Sequence, residues 1–101
     1  MMVDPDALQR VRDALRHPVL EQRLKAIAMA DALAAVDLLS DSFEHIARED
    51  HQQARIRAAG VMGDAEGEIT RGLLEEMLSL PACPVRDAAA AAIEKRMPAN
   101  A

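Results

Sequence analysis

The sequence predicts an all-α fold, a right-handed α-solenoid of about three helical hairpins with six helices. Two observations carry this. The composition is 50% hydrophobic but only 1% aromatic, with no Trp and no Tyr. A core of Leu, Ala, Ile, Val and Met suits closely packed helices, whereas sheets favour β-branched and aromatic residues. The second observation is a repeat. Arg55 to Gly63 (RIRAAGVMG) is echoed by Arg23 to Asp31 (RLKAIAMAD) and by Arg86 to Glu94 (RDAAAAAIE), at spacings of 32 and 31 residues. Each copy places small or apolar residues three, four and seven positions after Arg: Ala26, Ile27, Ala30; Ala58, Ala59, Met62; Ala89, Ala90, Ile93. The preceding helices obey the same register. Leu15, Ala47 and Leu78 lie eight residues before each Arg, and Val11, Phe43 and Leu74 lie twelve before. A fixed period of this size marks stacked helical units.

Taken in order, the first helix starts at Asp4, a good N-cap followed by Pro5 at a position that needs no amide. Leu8, Val11 and Leu15 give its stripe, and Pro18 stops it near His17. The second helix runs from Pro18 to about Val36, with Leu20, Leu24, Ile27, Ala28 and Leu33 inward. No strong breaker follows, so the period alone places a turn near Ala35 to Asp37. The third helix, Leu38 to Arg48, carries Leu39, Phe43, Ile46 and Ala47, with Phe43 at the core centre. The fourth starts behind a capping box of Asp50 and Gln53 and ends near Met62, with Gly63 as the terminal glycine. After the turn Asp64 to Glu68, the fifth helix spans about Ile69 to Leu80, with Leu73, Leu74, Met77 and Leu78 inward. The sixth runs from Pro84 to about Met97, and Pro98 to Ala101 is expected to be a frayed tail.

The chain has 101 residues, room for one domain, 1–101, with repeats at roughly 4–36, 37–64 and 66–97. A net charge of −5 disfavours phosphate backbones and anionic lipid unless one face is locally basic. A single cysteine excludes an internal disulfide framework and suits a reducing compartment. MMVDPDALQR has no apolar core of a signal peptide. No apolar run approaches the ~18 residues of a membrane span. The expectation is a soluble cytoplasmic protein with no membrane association.

From about residue 4 to 97 the chain resembles the HEAT-repeat superfamily, in particular its short phycobilisome-lyase-like form. The resemblance is carried by Val85-Arg86 with Ala89 and Ile93, by Arg55 with Ala58, Ala59 and Met62, and by Gly63-Asp64. Arg23 with Ala26 and Ala30 is a weaker copy. Gln22 and Ala54 stand where the family has Val, and Gly-Asp follows Arg55 about three residues early. The resemblance implies that the repeated Arg pairs with carboxylates or backbone oxygens between units. Asp50, Asp64 and Asp87 are candidates, with no pairing assigned. It also implies that second helices line a concave face.

Little in the chain points to catalysis. His45 and Glu49 lie one turn apart and could ligate a metal, but no further His or Cys completes a site, so a solvated helix end is the simpler reading. His17 reads as a boundary residue and Cys83 as a plain loop thiol. No nucleophile–base order or phosphate-cradling glycine loop is present, so the chain is expected not to be an enzyme, and to need no cofactor or metal. Charge is unevenly spread. Arg23, Lys25, Arg55, Arg57, Arg86, Lys95 and Arg96 fall on second helices; acids concentrate on first helices and turns. Two readings stay open for the repeated arginines: internal struts, or a basic groove for another protein or an acidic peptide. The expected function is a non-enzymatic interaction module binding through the second-helix face, with Lys25, Arg57, Arg23, Arg55 and Arg86 as partner-binding residues. An accessory role in cofactor or chromophore attachment is the alternative, and nucleic-acid binding a weaker one. The alanine run on the 84–97 helix offers a surface for a homodimer.

Overall fold

Helix starts are set by groups that satisfy the first unpaired amides. In the computed structural model, which describes residues 3–97, α1 (Pro5–Ala14) begins as expected: the Asp4 carboxylate accepts the Asp6 N–H at 3.2 Å. α2 (Leu20–Ala32) starts two residues later than the sequence suggests, because Val19 is extended and its N–H donates to His17 Nδ1 at 3.0 Å. α4 (Gln52–Met62) is capped by His51, whose Nδ1 accepts the Gln53 N–H at 3.1 Å. The expected Asp50–Gln53 capping box therefore does not form; Asp50 is drawn instead to Arg23. α6 (Pro84–Arg96) opens on Cys83, whose Sγ accepts the Arg86 N–H at 3.4 Å.

Helix ends depart further from expectation. α2 stops at Ala32, four residues early, in a Schellman motif: Ala35 N–H donates to Ala30 O at 2.8 Å and Ala34 N–H to Asp31 O at 2.9 Å. Ala34 sits in the left-handed region with φ 52°, a position glycine normally takes. The sequence shows no breaker there because an alanine carries the strain. A 3-10 turn, Asp37–Leu39, then leads into α3 (Ser40–Glu49), so the third helix is late by two residues. α5 (Glu68–Leu78) completes the set of six. Gly63 does close α4, but with a helical φ of −65°. What a side chain there would meet is crowding: a Cβ would lie 3.0 Å from the Cα and Cβ of Ala92, so α6 would have to give slightly. Pro98 to Ala101, the expected tail, lie outside the described residues.

The helices pair as α1 with α2, α3 with α4 and α5 with α6. The second helices form a row, α2 on α4 and α4 on α6, while α3 packs on α5. The result is a flat globule of 36 × 30 × 17 Å with a radius of gyration of 12.9 Å, close to the ~13 Å of a compact 100-residue domain. Alanines make the second-helix row close: Ala26, Ala30, Ala54, Ala58, Ala59, Ala89 and Ala92 are all buried. Phe43, Ile27, Leu39, Ile46, Met62 and Leu74 fill the core. Burial of each such large side chain stabilises by roughly 1.5–3 kcal/mol.

The repeat register is visible in the burial. Val11, Phe43 and Leu74 are buried, as are Ala26, Ala58 and Ala89, and Ala30 and Met62. Its exceptions fall in the third hairpin: Leu78 and Ile93 are half-buried and Ala90 is exposed. Among the described residues no fourth hairpin lies beyond them. Ala28, expected inside, is exposed on α2.

Candidate functional site

The three repeated arginines do different things. Arg23, on α2, grips Asp50 with Nε (2.9 Å) and Nη2 (2.7 Å), and its Nη1 donates to the carbonyls of His17 (2.9 Å) and Pro18 (3.2 Å). Side-chain exposure is 19% for Arg23 and 6% for Asp50. The hydrogen bonds it donates to Asp50 hold the Arg23 pKa above its usual value. Burial pushes the Asp50 carboxyl up, but the Arg23 guanidinium and the His51 amide outweigh it and the net shift is downward. All three guanidinium nitrogens of Arg23 are thus used inside the molecule, tying the first hairpin to the turn of the second.

Arg55, the corresponding residue on α4, makes one such bond, Nε to Ala47 O at 2.8 Å. Its Nη1 and Nη2 have no hydrogen-bond partner among the described residues, and it lines a cleft with Ala47, Arg48, Leu73, Met77 and Leu80. Arg86 is half-buried with no side-chain partner among the described residues. Lys25 and Arg57, each two positions after its repeat's Arg, are exposed on α2 and α4 and also have no partner there. The structure therefore brings Lys25 and Arg57 onto adjacent second helices, and separates them from Arg23, which faces inward.

The polar cluster that pattern reading missed sits at the opposite end of the hairpins. Arg96, the last residue of α6, donates through Nε to Met62 O (2.9 Å), through Nη1 to Gly67 O (3.0 Å) and through Nη2 to Thr70 Oγ1 (2.5 Å). Thr70, fully buried, donates to Asp37 Oδ1 at 2.8 Å. Asp37 Oδ2 accepts the N–H of Gly67 (2.8 Å) and of Glu66 (3.2 Å). Burial lowers the Arg96 pKa, against the attraction of Asp37. Gly67 lies close against Asp37: a Cβ there would meet Asp37 Oδ1 at 2.5 Å and displace the carboxylate from these bonds. This cluster has no counterpart at the repeat spacing, because Pro5 stands 32 residues before Asp37 and Ala65 stands 31 before Arg96. The only sequence signal was a polar Thr70 among the inward positions of α5.

First helices are joined by exposed ion pairs. Arg12 binds Asp41 at 2.6 Å, and Arg48 bridges Glu76 at 3.0 Å and also meets Glu44. Lys95 binds Asp64 at 3.1 Å and the Gly60 carbonyl at 3.2 Å. Of the seven second-helix cations, Arg23, Arg55, Lys95 and Arg96 are therefore engaged internally. His45 and Glu49 do share a face at 3.0 Å, both well exposed. No group of three His, Cys, Asp or Glu side chains that could hold a metal occurs among the described residues. Cys83 is a free, half-buried thiol. Among the described residues no helix is long and apolar enough to cross a membrane. No protein-family model, curated protein or solved structure matches the chain.

Proposed function

We propose that this chain is a HEAT-like α-solenoid unit, a non-enzymatic cytoplasmic module that presents its second-helix (concave) face, at α2 and α4, to an acidic segment of another protein. The observation carrying this reading is the pair Lys25 and Arg57, which lie 32 residues apart in the repeat, exposed and without an internal partner among the described residues. Two cations in register on adjacent helices match carboxylates spaced along a peptide, and such complementarity sets partner choice and on-rate. A phosphate backbone is a poorer fit, because the net charge is −5 and most second-helix cations are used internally.

The test is capture from the native cell extract with the wild-type protein and with a Lys25→Glu, Arg57→Glu double variant. A stoichiometric partner held by the wild type should be lost by the variant. Stability should stay within about 0.5 kcal/mol, as for surface substitutions generally. Retention of the same partner by the variant removes this face from the function.

A further inference from the structure

The second interface between hairpins contains an arginine whose acid is missing. Asp50 lies five residues before Arg55, in the turn between α3 and α4, and there it closes on Arg23 of the preceding hairpin. The matching place in the third hairpin, five residues before Arg86, is Pro81, in the turn between α5 and α6. Leu80 to Cys83 contains no acidic residue. Arg55 is the residue that would receive that acid. Its Nε has turned to the Ala47 carbonyl at 2.8 Å, which fixes the guanidinium and leaves the Nη1–Nη2 edge without a partner among the described residues. That side chain lines a cleft of about 330 Å³ bounded by Leu73, Met77 and Leu80. Leu15 of the first unit is replaced by the smaller Ala47 in its wall.

We propose that this cleft binds a carboxylate carried beside an aliphatic group, as the C-terminal residue of a peptide presents it. A guanidinium edge holds a carboxylate in a bidentate, charge-assisted pair, and the apolar walls accept the side chain. The cleft's other charges are Arg48, Glu76 and Glu49. Arg48 pairs with Glu76, and Glu49 lies against His45 at 3.0 Å; neither acid is bonded to Arg55, whose Nη1–Nη2 edge is open. The site is distinct from Lys25 and Arg57 and does not depend on the function proposed for them.

The experiment is an NMR titration of the full chain with three probes: N-acetyl-leucine, its neutral amide, and acetate. N-acetyl-leucine should give saturable shifts at the Arg55 Nε–H and at the Leu73 and Leu80 amides, with a Kd on the order of millimolar for so small a ligand. The amide should bind about ten-fold more weakly, having lost the charged partner, and acetate should bind more weakly than N-acetyl-leucine. Two variants, Pro81→Asp and Ala82→Asp, supply the missing acid from within; at least one should raise the melting temperature and abolish the response to N-acetyl-leucine. Equal response to acid and amide overturns the proposal. So does the absence of a saturable shift at Arg55, or undiminished binding in both variants.

Discussion

At the interface between the first and second hairpins, Arg23 spends three nitrogens on Asp50 and two turn carbonyls. At the interface between the second and third, Arg55 spends one on Ala47 O. That interface is fastened elsewhere, by Arg96, Thr70 and Asp37 around the turn before α5. The apolar register is alike in both places: Ala26 and Ala58 are buried, as are Val11 and Phe43. A recurring side chain therefore does not imply a recurring interaction. Helix packing needs only small or apolar surface at the right spacing, and many residues satisfy it. A bidentate ion pair needs one particular partner at one place, so a single change in a turn removes it.

The largest expected effect tests the fastening of the second interface. Thr70→Val keeps shape but removes a fully buried hydroxyl that accepts from Arg96 and donates to Asp37. Urea denaturation should show a loss of about 2–3 kcal/mol, since both lost hydrogen bonds are to charged groups. A change below about 0.5 kcal/mol would mean that the Arg96–Thr70–Asp37 cluster does not fasten the second interface.

Next comes the direct comparison of the arginines. Arg23→Ala leaves the Asp50 carboxylate, 6% exposed, without its cation, and should cost about 2 kcal/mol. Arg55→Ala gives up one hydrogen bond and part of its stem packing, for about 1 kcal/mol. Equal costs in paired denaturation curves would erase the distinction drawn between the two interfaces.

The ion pair of the first interface also sets an acid limb. Asp50 titrates below its usual value in the folded protein. Its contribution is therefore complete above the unfolded Asp value of ~3.9 and is lost as pH falls through the lower folded value. Denaturation midpoints followed from about pH 5 downward should fall less steeply in Asp50→Asn than in the wild type. Asp41 and Glu76 are likewise held down: burial raises Asp41 but its bonds to Arg12 outweigh this, and for Glu76 the bond from Arg48 leads. Some acid sensitivity should thus remain in the variant.

The smallest effect compares the two links between hairpins. The turn after α2 forces Ala34 to φ 52°, whereas no described residue of the turn after α4 has a positive φ. Ala34→Gly should stabilise by about 1 kcal/mol, relieving a left-handed alanine. A loss of stability would show that the turn is set by packing of the methyl group, not by backbone strain.

Much of this architecture was legible in the chain. The Arg-centred period located the helix pairs, and the positions it marked as inward are buried in the first two hairpins. Phe43 is central, and Asp4 with Pro5 starts α1. The misreadings cluster at helix ends. The Schellman turn at Ala34 closes on local carbonyls without a glycine; His51 caps α4 while Asp50 is drawn to Arg23, 27 residues away; and Gly63 lies close against Ala92 on α6. For the candidate site, sequence supplied the cations but not their assignments. Asp50 was one of three candidate acids, and only the folded chain shows that it meets Arg23 while Asp64 meets Lys95.

The sequence by itself determined the helical class, the number of helices and the inward faces, because a period of 3.6 residues per turn repeated along the chain is a local property that each segment carries alone. Tertiary structure decided which arginines are struts and which remain open: Arg23 closed, Arg55 half-used, Lys25 and Arg57 outward. It also assembled Arg96, Thr70 and Asp37 from three elements with no shared spacing. Such pairings depend on distances between residues some 26 to 33 positions apart, and those distances exist only once the hairpins have packed.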